Sequence, residues 1–184
     1  LNARWCFPAP THCGDELARS KWVTGEYWRE HGMRRPVSPD RLPSGLETMP
    51  LIGAKLRWRT VRDAVANLGE PAVSGRHNHI LQPGARSYPG HTGSPLDEPA
   101  KALKAGDHGV PGGENMLRHP DGRVRYFSVR ESCRVQTFPD DWTFSSSWTE
   151  NMRQLGNAVP VELARVVAAS VVTTLQPHVQ PARV

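Results

Sequence analysis

Three cysteines and eight histidines are the first residues to weigh as chemistry in this chain of 184 residues. Cys6, Cys13 and Cys133 are odd in number and widely spaced, with no Cys-x-x-Cys pair. Neither a disulfide framework nor a zinc ribbon fits that pattern, and a reduced setting is the default. Cys133 lies between Arg130 and Arg134. Two nearby guanidiniums are weak grounds for an activated thiolate, so Cys133 reads as a small buried residue. His77-x-His79 followed by His91 invites a metal reading. No carboxylate or fourth ligand stands at helical or hairpin spacing from them, and histidines facing solvent or a polyanion fit better. The run Lys104–Asn115 is Gly-rich, but it lacks Gly-Lys-Ser/Thr and any GxGxxG opening a helix. It reads as turns, not a phosphate loop.

Two other groupings carry recognition chemistry. Gly156-Asn157-Ala158-Val159 precedes Pro160 and an apolar run. A turn before a helix offers backbone amides and an amide side chain, which suit a carboxylate or hydroxyl. Arg76, His77, Asn78, Arg86, Tyr88, His91 and Thr92 set fork donors, amides and an aromatic among glycines. Groove reading of nucleic acid uses those groups; a solvated loop has the same composition.

The elements that must position these residues are unevenly legible. Residues 1–60 read as irregular, with aromatics and prolines alternating with charges. Thr60 with Asp63, and apolar 61, 64, 65 and 68, predict a short capped helix. Asp121-Gly122 predicts a hairpin turn into a strand over 123–127. Ser128 and Glu131 form a capping-box pattern for a helix to about Thr137. Thr149 is the expected cap of a helix ending at Gly156. Pro160 suits the first turn of a final helix to about Leu175. Val161, Leu163, Ala164, Val166, Val167, Ala168, Ala169, Val171, Val172 and Leu175 cover nearly all faces of that helix. Such a helix needs burial on most sides, which predicts a partner surface from elsewhere.

Charge sharpens this division. The formal net charge is +5, and 19 of the 23 basic residues are Arg. Residues 1–95 hold 13 Lys/Arg against 8 Asp/Glu, whereas residues 96–184 hold 10 of each. The whole excess lies in the first half, as suits a polyanion partner there. The 16 Gly and 17 Pro make up about 18% of the chain, against a usual ~12%, which excludes a helical bundle. No run of 18 apolar residues and no secretory signal is found. The chain starts at Leu1 and its first Met is Met33, so a processed product or a piece of a longer frame is expected.

Two segments are more specific than the rest. Arg130-Glu131-Ser132-Cys133-Arg134-Val135-Gln136-Thr137-Phe138-Pro139-Asp140-Asp141-Trp142, then Arg153-Gln154-Leu155-Gly156-Asn157-Ala158-Val159-Pro160-Val161, follow one another about ten residues apart. In that order they resemble the last two conserved motifs of the DNA (cytosine-5) methyltransferases. Leu96–Gly106 resembles the segment before them. Phe7–His12 and Tyr88–Gly93 are similar to one bacterial branch. The resemblance runs from about Trp5 to Leu175.

The resemblance implies methyl transfer from S-adenosylmethionine to carbon 5 of cytosine, with Cys attack on a flipped base. It implies an α+β chain: a small irregular β-rich recognition domain, then C-terminal helices that complete a doubly wound methyltransferase domain. The expected boundaries are 1–122 for DNA recognition and 123–184 for the catalytic-domain segment. Asn157, Ala158 and Val159 match the turn beside the cofactor. Arg130, Glu131, Arg134 and Gln136 match the motif that organises the recognition domain. Double-stranded DNA and an N-terminal catalytic portion or subunit are the implied partners, no membrane is, and a bacterial restriction-modification or epigenetic system in the cytoplasm is the implied setting.

The departures are equally specific. The family's Pro-Cys nucleophile is absent, because Cys6, Cys13 and Cys133 follow Trp5, His12 and Ser132. Its Phe-x-Gly-x-Gly and Gln-x-Arg-x-Arg elements are absent. Glu114-Asn115 is followed by Met116 rather than Val. The expectation is therefore a C-terminal part, without a catalytic residue and inactive alone. A non-catalytic DNA-binding subunit working with a separate catalytic chain is the alternative.

Overall fold

A computed structural model describes residues 4–37, 46, 55–72, 78–105 and 113–175. The chain divides into two compact units, Ala9–Arg59 and a second made of Leu1–Pro8 with Thr60–Val184.

The first unit contains helices where the sequence reads as irregular. β1 (His12–Cys13) pairs in parallel with β2 (Leu56–Arg57), and α1 (Gly14–Trp22) and α2 (Glu26–Glu30) lie between them in sequence. Leu17, Ser20 and Lys21 are the buried positions of α1. Their spacing is helical, but only one is apolar, so no hydrophobic stripe announces the helix. The missing apolar surface comes from α2, where Tyr27 and Trp28 are buried. Lys21 lies 5.5 to 5.9 Å from the rings of Trp22, Tyr27 and Trp28. Its ammonium is thus held by ring faces while its stem fills the core.

In the second unit the local signals hold. α3 (Val61–Val65) starts with the Thr60–Asp63 capping box and α4 (Val129–Val135) with the Ser128–Glu131 capping box. A three-stranded sheet runs β3 (Ser94–Pro95), β4 (Met116–Arg118), β5 (Val124–Tyr126), with β3 parallel and β5 antiparallel to β4. The β4–β5 turn is closed by His119 N donating to Arg123 O at 2.8 Å, with Gly122 at φ +87°. The left-handed conformation is why glycine stands there. Strands of two or three residues make little ladder, and capped helices bear most of the frame. Val61, Leu103, Leu117, Phe127, Val129, Cys133, Met152 and Leu155 form the core.

Two expectations for the C-terminal helices change. α5 (Trp148–Asn157) is capped by Ser147, whose Oγ accepts from Glu150 N, not by Thr149. The Ser-x-x-Glu spacing is the stronger cap signal, and Thr149 has Met152 at the same offset. α6 (Val161–Leu175) has no buried residue in this chain, and Leu163, Val171, Val172 and Leu175 are exposed. Its apolar girdle therefore lacks the burial that the sequence calls for. Residues 148–175 contain a window apolar enough for a membrane span, but α5 and α6 are separate helices broken at 158–160. The 15 residues of α6 extend about 22 Å, short of the ~30 Å hydrocarbon core.

The Arg125–Glu131 pair fastens β5 to α4. Both terminal nitrogens of Arg125 bond Glu131 at 2.8 Å, and the Glu131 side chain is fully buried. Arg125→Ala should cost about 3–5 kcal/mol by stranding that carboxylate. Arg153→Ala removes an exposed pair with Glu150 and should leave stability almost unchanged. Urea midpoints of the two variants compare the losses; equal midpoints would contradict this.

Candidate functional site

The turn between α5 and α6 is the first candidate. Asn157 is the last residue of α5, and Asn157 and Val159 are exposed. Beneath them, Gln136 is 8% exposed and donates from Nε2 to Leu155 O at 2.8 Å. Val161 N donates to Gln136 O at 3.0 Å and Glu162 N donates to Thr137 Oγ1 at 2.9 Å. Thr137 sits at φ +58°, a strained conformation for a β-branched residue. That conformation accompanies its hydroxyl's capping of α6. These bonds correct one expectation: the first amides of α6 are consumed inside the chain. The Asn157 side chain and the peptide groups around Val159 are what the turn presents.

Gly156 fixes the turn from behind. A Cβ there would stand 2.6 Å from the Lys104 carbonyl carbon and closer still to Ala105 N. Only glycine permits that approach of two backbones. A cleft of about 330 Å³ lies alongside, lined by Phe138, Trp142, Phe144, Gln154, Leu155 and Ala158 among others.

The second candidate is the segment 78–93. Arg76 and His77 lie outside the described residues. Asn78, at φ +64°, donates from Nδ2 to Phe144 O at 2.7 Å and accepts from Phe144 N at 2.8 Å. Both polar ends of its amide are therefore committed to backbone. His79 is buried, with Nδ1 2.8 Å from Ser128 Oγ. That separates it from any histidine cluster at the surface, and the described residues contain no group of three or more metal-ligating side chains. Tyr88 and His91 close a tight turn through His91 N donating to Tyr88 O at 2.8 Å, with Gly90 at φ +83°. Their rings stack 4.4 Å apart, 30° from parallel, and Tyr88 is exposed. His91 Nδ1 lies 3.8 Å from Glu114. A backbone hydrogen bond, and after it Lys104, hold the Glu114 carboxyl below its usual range against the effect of burial. Thr92 is exposed and accepts from Lys101 Nζ at 3.4 Å. Arg86 is exposed and makes no hydrogen bond or ion pair among the described residues.

The polar residues of α4 serve as braces. Arg130 donates to Trp142 O at 2.9 Å. Arg134 donates to Ala66 O at 2.6 Å and to Asp140 at 2.8 Å from Nε. With Gln136 they tie α4 to three separate backbone segments, and Glu131 ties it to the Arg125 side chain of β5. Burial pushes the Cys133 thiol up to about 11, despite the neighbouring Arg130. It is a packed side chain, not a thiolate.

Sequence reading missed one juxtaposition. Glu70, Arg86, His119, Arg123 and Arg125 line one cleft of about 790 Å³. The available signal was the period-two spacing of Arg123 and Arg125, which puts both on one face of a strand.

The described residues thus form an α+β frame of capped helices and small sheets. The family description C-5 cytosine-specific DNA methylase matches residues 71–173, more than half of the chain. The chain belongs to that family. It is 52% identical over 54 residues to the type II methyltransferase M.Sau96I of Staphylococcus aureus, covering 29% of this chain and 12% of that one. It is 47% identical over 80 residues to M.Eco47II of Escherichia coli, covering 43% and 18%. It is 28% identical over 168 residues to M.HindV of Haemophilus influenzae, covering 88% and 49%. The chain thus spans half or less of the length of these relatives.

Gly156→Ala should destabilise the unit by about 1–3 kcal/mol, the usual cost of overpacking. Backbone amide shifts should concentrate at 104–105 and 155–162. A variant with an unchanged thermal midpoint and unshifted amides would contradict the close approach.

Proposed function

We propose that the chain is the C-terminal part of a DNA (cytosine-5-)-methyltransferase of a bacterial restriction-modification or epigenetic system, acting in the cytoplasm. Residues 1–122 read the target in double-stranded DNA, and residues 123–184 complete a doubly wound catalytic domain. The catalytic cysteine comes from the remaining portion of the enzyme, since Cys133 is buried and protonated and no cysteine here follows a proline. The observation that carries this reading is the Asn157–Val159 turn, braced by Gln136 and Thr137 within the matched segment.

S-adenosylmethionine supplies the methyl group when bound. The exposed Asn157 amide and the peptide groups of Val159 fit its hydroxyl and amino groups, Ala158 holds the turn through its bonds to Leu155 and Gln136, and the neighbouring aromatic cleft fits an apolar ring face. This chain's part is to orient that ligand and hold it against the transfer site. Tyr88, His91 and Thr92, with Arg86, meet DNA. Arg76 and His77 belong to the same proposed interface, and Asn78 supports it by locking the backbone at Phe144. The uncovered apolar girdle of α6 is the surface on which the catalytic portion packs. Burying one broad face of it is worth several kcal/mol at ~25 cal/mol per Å².

The test is reconstitution. The chain is mixed with a separately produced N-terminal portion carrying Pro-Cys, duplex DNA and tritiated S-adenosylmethionine. Label should enter DNA only when both parts are present. Asn157→Ala should raise the KM for the methyl donor by about 3- to 10-fold, the worth of one hydrogen bond. Salt-sensitive DNA binding with no methyl transfer in any such mixture would favour the non-catalytic module instead.

A further inference from the structure

The cleft beside the β4–β5 turn is a site that neither conserved motif accounts for. Among the described residues, three guanidiniums and an imidazole line it, against one carboxylate. Arg86 is exposed. Arg123 is 75% exposed, with Nε held by Asp121 at 2.6 Å. Arg125 is 12% exposed. Glu131 grips both its terminal nitrogens, so the guanidinium is fixed and presents its Nε edge. Pro71, Leu81 and Ala85 supply the apolar part of the lining.

Glu70 is the one acid among the described lining residues. It is 67% exposed, accepts from Arg125 Nε at 2.8 Å and lies 3.9 Å from His119 Nε2. The carboxylate side of this pair faces solvent, which screens it. A phosphodiester offers a matching pair of oxygens and competes for the same Nε edge.

We propose that this cleft is a backbone-phosphate clamp for duplex DNA, with Arg86, Arg123 and the Nε edge of Arg125 as donors and Glu70 as a resident carboxylate that the phosphate displaces. The clamp rests on the DNA-binding reading above. It adds Glu70, His119, Arg123 and Arg125 to that interface, as groups that position the duplex without reading its bases.

The experiment is fluorescence-anisotropy titration of the whole chain with two labelled short duplexes, one all A·T and one all G·C, across a salt series. The slope of log K against log salt should fall by about 0.9 for Arg86→Ala and again for Arg123→Ala. The loss should be equal on both duplexes. Glu70→Gln should tighten binding about two- to fivefold at low salt. Near-UV circular dichroism confirms folding, which these exposed positions should leave intact. Unchanged slopes, a loss confined to one duplex, or weaker binding by Glu70→Gln would each overturn the clamp while leaving the wider reading standing. Absence of binding by the unaltered chain would overturn both.

Discussion

The second unit depends on one buried carboxylate. Glu131 is fully removed from solvent, and it accepts from Ser128 N and from both terminal nitrogens of Arg125, each at 2.8 Å. A buried charge is tolerable only when its acceptor sites are filled. Here the filling groups come from the cap of α4 and from β5. The hairpin and the helix are therefore not independent, because neither can shift without exposing a bare carboxylate to the core.

That constraint passes outward along α4. Once the helix is placed, Arg130 holds the 139–142 loop, Arg134 holds Ala66 and Asp140, and Gln136 holds the end of α5. Thr137 caps α6 from a strained backbone. Fixing these segments presents the exposed side chains of the Tyr88–Thr92 turn and of the Asn157–Val159 turn. Rigid frames with exposed turns are the usual way binding groups are presented.

Much of this frame was legible because it is local. The Thr60–Asp63 and Ser128–Glu131 boxes, the Asp121–Gly122 turn and the start of α6 each lie within a few residues of sequence. What was not legible depends on distant partners. Nothing near Asn78 announces that Phe144 will occupy both ends of its amide. α1 hides because its buried face is Leu17, Ser20 and Lys21, and the aromatic rings that make a lysine acceptable there come from Trp22, Tyr27 and Trp28. Thr149 is a good cap type, but Ser147 has the Glu150 partner three residues on. For the site, the resemblance implies an organising role for the polar residues of α4 but names none of their partners, and no local pattern puts Glu70 and Arg123 in one cleft with Arg86.

The most direct test of the central constraint is native-state hydrogen exchange on Glu131→Gln, which keeps the side-chain shape and removes the charge. Protection should fall together across 116–136 and at Val161, whose amide bonds to Gln136, while residues 14–30 of the other unit stay unchanged. Faster exchange confined to 128–131, with the hairpin and Val161 as protected as before, would contradict the account.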